Sequence, residues 1–260
     1  MPAGSSPPRR HIRVLSPLVV LLLAWSAISG LRLIDPVVLP TPWSVARAFV
    51  TMGRERVLID VALTLARVLA AVGIAACIGI PAGLLLGYRR RWYAMVEGPL
   101  HGLRSIPASA LFPLFLITIG VGESSIVALA AYPSLLVILV NTVSGAALAN
   151  KRRLYQAKLF GLSGFDTITE ILFYEALPNI FDGLRTAASY SMVLVIAVEM
   201  FIGLDDRGLG RAIYAYQATY RIPETYAAVM IAGTIGILLN LLVSALQDRM
   251  LRWLPDAYES

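Results

Sequence analysis

Residues 64 to 88 read TLARVLAAVGIAACIGIPAGLLLGY, and Arg67 is the one charged side chain among them. A run of this length matches the roughly 20 apolar residues that cross a ~30 Å hydrocarbon core as a helix. Further apolar runs fall at about 15 to 34, 106 to 120, 125 to 149, 181 to 202 and 226 to 247, each bounded by charge or by Gly and Pro. Composition agrees. Hydrophobic residues make up 58% of the chain and charged residues 15%, with a mean hydropathy of +0.73, against an apolar share of about 45–50% in water-soluble domains. The bilayer is therefore the predicted solvent, and the chain is predicted to be one all-α membrane domain with six spans.

The runs differ in detail. The third is short and carries Pro107 and Pro113, which suits a helix packed against others rather than one facing lipid alone. Val57 to Tyr88 is too long for one straight span, so its first turns, with Asp60 and Arg67, are expected to lie along an interface or beyond it. Arg9, Arg10 and Arg13 before the first run resemble a secretory signal, but the apolar stretch continues to Ile34 and more spans follow, so an uncleaved first span is expected. The divisions are a tail at 1–14, a membrane domain at 15–250 with a polar loop at about 150–180, and a tail at 251–260.

Orientation follows from the basic residues, which are 20 Arg and two Lys. The N-terminus, the 89 to 97 loop, the 150 to 180 loop and the C-terminus together carry twelve of them, and RRR at 89 and KRR at 151 directly abut apolar runs. The alternate loops carry seven. Positive charge is retained on the cytoplasmic side, so both termini and the 150 to 180 loop are predicted to be cytoplasmic. The same pattern argues against nucleic acid as a partner and for membrane lipid. Cys77 is the single cysteine, so no disulfide forms within the chain.

Several chemistries lack material. His11 and His101 are the only histidines, too few for a His-based metal site or triad. No Gly-Lys dipeptide occurs, so the chain holds no P-loop and is not expected to be an enzyme that hydrolyses ATP itself. RGLG at 207 to 210 reads as a tight turn outside the membrane rather than a dinucleotide loop.

The loop YQAKLFGLSGFDTITEILFYEALP, residues 155 to 178, is the least lipid-like long stretch between two apolar runs. Ser163 with Asp166, and Thr167 with Glu170, fit the spacing of a helix N-terminus, and Pro178 marks the other end, so a short cytoplasmic helix is predicted. Gly161 sits where the chain turns a corner. Phe160, Phe165, Ile168 and Leu172 would decorate a helix that has left the bilayer, which points to a protein partner.

This loop resembles the E-A-A-x-x-x-G segment of the permease subunits of ATP-binding-cassette importers. Ala157 and Gly161 match its A and G, Ile171 matches a later apolar position, and Pro178 is kept in EALP. Tyr155 and Gln156 replace its Glu and first Ala, and Tyr174 replaces its later proline. LIDPVVLPTP at 33, RSIPASALFPLFLITIGVGESS at 104, EALPNIFDGLRTA at 175 and VEMFIGLDDRGLG at 198 are similar to the taurine, alkanesulfonate and nitrate branch of those permeases.

The resemblance implies a type I importer permease of six transmembrane helices with a short cytoplasmic coupling helix, in a bacterial inner membrane. It implies two ATP-binding-cassette ATPase subunits as partners, a second permease subunit that is identical or a paralogue, and an extracytoplasmic substrate-binding protein. ATP and Mg would belong to the ATPase, with no cofactor in this chain. Ala157, Phe160, Gly161, Phe165, Ile168, Ile171 and Pro178 would form the ATPase-coupling surface. The altered motif, lacking its acid, suggests a paralogue whose loop keeps it. The solute would be a small organic or inorganic anion.

Among polar residues in the spans, Asn141, Ser144, Ser189, Tyr190 and Ser191 either line a path for that solute or bind helices together. Glu199 is expected to turn away from lipid, as a gate or a structural partner. Arg67 and Arg104 are candidates for adding positive potential, Arg185 reads as an anchor, and Glu123 reads as a solvated loop residue. A secondary transporter or an intramembrane enzyme remains the alternative; the first would need a coupling acid or inverted repeats.

Overall fold

The computed structural model describes residues 9–202 and 207–252. The outer parts of the two expected tails, 1–8 and 253–260, lie outside the described residues. Every regular element among those described is helical. Helices α1 (Arg9–Gly30) and α2 (Pro42–Thr51) precede α3 (Arg54–Tyr88) and α4 (Arg90–Ser105). A 3-10 turn at Ala108–Leu111 leads into α5 (Phe112–Ile119), followed by α6 (Glu123–Leu148) and α7 (Lys151–Leu159). Next come α8 (Gly164–Asp166), a π-helical stretch Thr167–Leu172 and α9 (Phe173–Phe201), which run on as one continuous helix, Gly164–Phe201. Helices α10 (Leu209–Ala218) and α11 (Ile222–Met250) complete the chain.

Four helices are long and apolar enough to cross a bilayer: Arg56–Tyr88, Glu123–Leu148, Gly164–Phe201 and Ile222–Met250. A fifth span results if α4 and the Ala108–Ile119 segment, bent by 82° at their break, count as one. The expected count of six is not reached among the described residues. The apolar part of α1 described there is Val19–Gly30, shorter than a span. Helix α1 stops at Gly30 because the chain turns back, with the Trp25 indole donating to the Pro40 carbonyl at 2.9 Å and stacking on Tyr226.

Three other expectations need correction. Helix α3 is a single 35-residue helix, and its early turns are not a free interfacial segment, because Asp60 and Arg67 are buried against other helices at 2% and 5% exposure. Residues 90 to 105, expected in part as a loop, are helical. The coupling segment is not a short helix ended by Pro178. Its first residues are the foot of the long helix that ends at Phe201, and Pro178 lies inside it.

The core is the trio α3, α6 and α9, with α6 the most buried of the long helices. Lipid chains are as apolar as leucine, so membrane helices associate through close packing rather than hydrophobic burial alone. Gly79, Gly83 and Gly87 recur every fourth residue along α3 and face α6. A Cβ at Gly83 would lie 2.6 Å from the Thr142 Cβ, and one at Gly87 would strike the Ala146 Cβ. The seam continues on the other side of α6, where a Cβ at Gly145 would come within 2.8 Å of Asn179 on α9. Ser134 and Ser191 share a 2.8 Å hydrogen bond between α6 and α9, both fully buried. Ser191 therefore joins helices rather than lining a path. Helices α10 and α11 pack on α9, and α2 packs on α11.

Gly83→Leu is expected to wedge α3 from α6 and destabilise the protein by about 1–3 kcal/mol, the usual cost of overpacking. Gly73→Leu on the same helix has open space around it and serves as the control. Thermal unfolding of both purified variants in detergent checks this: the first midpoint falls and the second does not.

Candidate functional site

Asp60, Thr64 and Arg67 occupy one face of α3 by their spacing of four and three residues. That face meets Glu199 near the end of α9. The Glu199 carboxylate is fully buried, and it accepts from Arg67 Nη1 at 2.6 Å, from the Thr64 hydroxyl at 2.8 Å and from the Gly210 amide at 2.8 Å. Arg67 also holds Glu123 at the start of α6, through Nε at 2.7 Å and through Nη2. Glu123 is thus half of an ion pair rather than merely a solvated loop residue.

The same cluster caps α10. The first amides of a helix have no intrahelical acceptor. Here the Gly208 amide donates to Asp60 at 2.9 Å, Leu209 to the Thr64 hydroxyl at 2.9 Å, and Gly210 to Glu199. Carboxylates at a helix N-terminus also suit its dipole. The RGLG turn needs its glycines for this fit. Gly208 has φ +118 and lies against Arg67 and Glu199, while a Cβ on Gly210 would strike the Ile196 carbonyl of α9. The polar spacing 60, 64, 67 within an apolar helix was the sequence signal for this cluster. Placing these turns along or beyond the membrane interface did not reveal which side chains from other helices meet them.

At the opposite, arginine-rich end, α7 starts on an Asn150 cap whose Oδ1 accepts from the Arg152 amide at 2.9 Å. Arg153 pairs with Glu175 on α9, which fixes α7 against the long helix. The corner is Gly161, at φ +74, and Ser163 with Asp166 forms the reciprocal capping box. Thr167 does not cap a second helix; its hydroxyl donates to the Ser163 carbonyl at 2.8 Å. Among the coupling candidates, Phe160 and Phe165 are exposed at 83% and 74%, and Ala157 is buried. Ile168 turns inward, against the cluster of Leu84, Leu172, Ala176 and Ile180. A groove of about 550 Å³ is lined by Ala157, Phe160, Glu170, Ile171 and Tyr174, among others. Pro178 does not line it.

The residues expected along a path are not brought together. Asn141 is half-buried against Gly183 and donates to the Val137 carbonyl at 2.9 Å. Ser144 is exposed and donates to Val140. Ser189 accepts from Asn240 of α11 at 3.2 Å. Arg185 donates to Gln247 of α11 at 2.6 Å. Tyr190 faces a cavity of about 490 Å³ at the break between α4 and α5. Arg104, Ser109 and Tyr132 share that lining.

Residues 79–254 match the family described as the binding-protein-dependent transport system inner membrane component. The chain belongs to this family. It is therefore an inner-membrane component of a transport system, with the all-helical permease fold. Among similar proteins, a putative ABC transporter permease of Methanocaldococcus jannaschii is 30% identical over 86% of this chain and 82% of its own. The taurine transport system permease protein of Escherichia coli is 26% identical over 91% of this chain and 87% of its own. The nitrate import permease protein of Synechocystis is 29% identical over 73% and 68%. A chain of the methionine ABC transporter in an inward-facing conformation superposes with a TM-score of 0.64 at 17% identity, covering 75% of this chain and 96% of that one. That likeness concerns the fold.

In this family member, Arg67→Met is expected to leave Glu199 buried without its charge partner and to destabilise the protein by about 3–5 kcal/mol. Arg67→Met combined with Glu199→Met should recover part of the loss. A double-mutant cycle on thermal unfolding in detergent measures it, and additive losses would mean that the pair is not coupled.

Proposed function

We propose that this chain forms half of the translocation path of an ATP-driven importer for a small anion, a sulfonate, nitrate or similar oxyanion. The arginine-rich end faces the cytoplasm, as the positive-inside asymmetry requires. Two partner ATPases carry ATP and Mg. A second permease subunit completes the path, and an extracytoplasmic binding protein delivers the solute. The observation that carries this reading is the groove at the arginine-rich end, with two exposed phenylalanines beside it on a segment that leaves the bundle. Large apolar groups held outside the bilayer on a capped, ion-paired scaffold suit a protein partner.

The motif's usual acid is absent at Tyr155, but Glu170 is exposed on the rim of the groove. It supplies a carboxylate for the ATPase from the next helix, so a paralogous permease that keeps the motif acid is not required. When the ATPases close, they push on Phe160 and Phe165, and the continuous helix Gly164–Phe201 carries the motion to the Glu199 cluster. That cluster anchors the outer end as a structural gate element rather than as a solute ligand, because its carboxylate is saturated by donors. Alternating access follows from tilting of the bundle about this anchor.

Two measurements test the proposal. Single cysteines on a Cys77→Ala background should react with impermeant reagent from outside at Val121 and be protected at Phe165; labelling of residue 165 from outside reverses the orientation. Phe165→Ala should weaken ATPase co-purification by an amount on the order of 2–4 kcal/mol, as for a central aromatic anchor, while the chain still inserts. Glu170→Gln should weaken it less. Full ATPase retention in the Phe160→Ala, Glu170→Gln double variant, which alters two lining residues, would remove the groove from the interface.

A further inference from the structure

Arg67 and Arg104 have different surroundings: Arg67 is buried between helices, whereas Arg104 lies exposed on the single chain beside an open cavity. Arg67 is spent on Glu123 and Glu199. Arg104 closes α4 at the break before Pro107, and no carboxylate lines the cavity beside it. Among the described residues, Arg104 has no ion pair or hydrogen bond, and neither do the hydroxyls of Tyr190 and Ser109 in the same cavity. Tyr132 is already used: its hydroxyl donates to the Leu103 carbonyl at 2.8 Å, which holds the end of α4 in place.

If the ends of α6 and α9 mark the edge of the hydrocarbon, the cavity lies deep in the membrane. Tyr132 is nine residues along α6 from Glu123, and Tyr190 is eleven residues before Phe201 at the same end of α9. At about 1.5 Å per residue these positions are roughly 14 and 17 Å from the helix ends, close to the middle of a ~30 Å hydrocarbon core. An arginine facing hydrocarbon at that depth is strongly unfavourable, so Arg104 must look into water, protein or a counter-charge. Irregular backbone at that depth is tolerated where it lines a cavity. Lipid headgroups reside at the interface, too far away to serve as its counter-charge.

We infer that the cavity at the α4–α5 break is an intramembrane binding site for a small anion, with Arg104 supplying the charge and Tyr190 and Ser109 supplying neutral hydrogen bonds. This rests on the importer reading above and deepens it, by locating where the solute pauses between the two sides. One charge and two hydroxyls match a compact oxyanion and leave part of a cavity of about 490 Å³ for its substituent or for water. Binding through a single arginine per subunit is strong enough to select sign and weak enough to release. In the Glu199 cluster, by contrast, the guanidinium is already paired with two carboxylates.

The test reads the cavity's preference for charge without needing the natural solute. Ser109→Cys on the Cys77→Ala background is reconstituted in phosphatidylcholine nanodiscs, which removes anionic headgroups. Rates are measured with sulfonatoethyl methanethiosulfonate, itself a small alkanesulfonate, and with its cationic trimethylammonioethyl counterpart. The ratio of anionic to cationic rates should exceed that of 2-mercaptoethanol in solution. It should fall by about fivefold or more in Arg104→Gln, since a nearby guanidinium attracts one reagent and repels the other, and it should be retained in Arg104→Lys. Nitrate should slow labelling by the neutral methyl reagent when Arg104 is present and not when it is Gln. A ratio that ignores Arg104, or a cysteine that reacts with neither reagent, overturns the inference. Should Arg104→Gln fail to fold, a ratio in the arginine protein no higher than that of the free thiol overturns it equally. ATPase co-purification is scored separately. A chain that binds its ATPase but shows no charge preference loses only this site, whereas charge preference without ATPase association counts against the importer.

Discussion

The Arg67–Glu199 ion pair holds together parts of the chain that nothing else joins so directly. Arg67 reaches from α3 to α9 and to the first residue of α6, so one guanidinium ties the three core helices at the same end. Around it, Thr64, Asp60 and Glu199 satisfy the first amides of α10. The buried charges, Asp60, Arg67 and Glu199, would each be very unfavourable alone in a low-dielectric interior, and each is tolerable because it is matched by partners. The cluster is therefore all or none. Its members specify how helices meet at that end, which small apolar side chains elsewhere in the bundle cannot do.

At the other end the bundle is joined by shape. Glycines at 79, 83 and 87 let α3 settle onto α6, and Gly145 does the same for α9. Glycine seams allow neighbouring helices to sit at close range without directional bonds. A bundle locked by charge at one end and seated by contact at the other has its resistance to movement concentrated at the locked end. Under the proposed coupling, force would arrive at the glycine end, beside Phe160 and Phe165.

Much of this was legible in the sequence because hydrophobic runs and capping residues act locally. The spans at 125 to 149 and 226 to 247 coincide closely with α6 and α11, and both the Gly161 corner and the Ser163 cap form as their residue types dictate. What was not legible depends on distant partners. Asp60, Arg67 and Glu123 look like interfacial charges until α9 delivers Glu199 among them. Pro178 looks like a terminator, yet it is carried inside a long helix, flanked by a π-helical stretch and tertiary packing. Polar residues in the spans could not be sorted by type either: Ser191 and Ser189 bond to other helices, while Tyr190, similar in hydropathy, is left facing a cavity. Arg67 and Arg104 looked equivalent for the same reason, and only the neighbours supplied by other helices distinguish them.

The unbroken run from Gly164 to Phe201 makes one stiff rod of the segment beside the groove and the segment that ends beside Glu199. Its 38 residues correspond to a length of about 57 Å. For a rod of that length, a rotation of only about 5° about one end displaces the other by roughly 5 Å, nearly one helical turn. With the Glu199 end as the pivot, displacement is largest at the foot and falls towards the head. Tyr190, between the two, moves through an intermediate arc, so the cavity at the α4–α5 break would change width in proportion to the stroke.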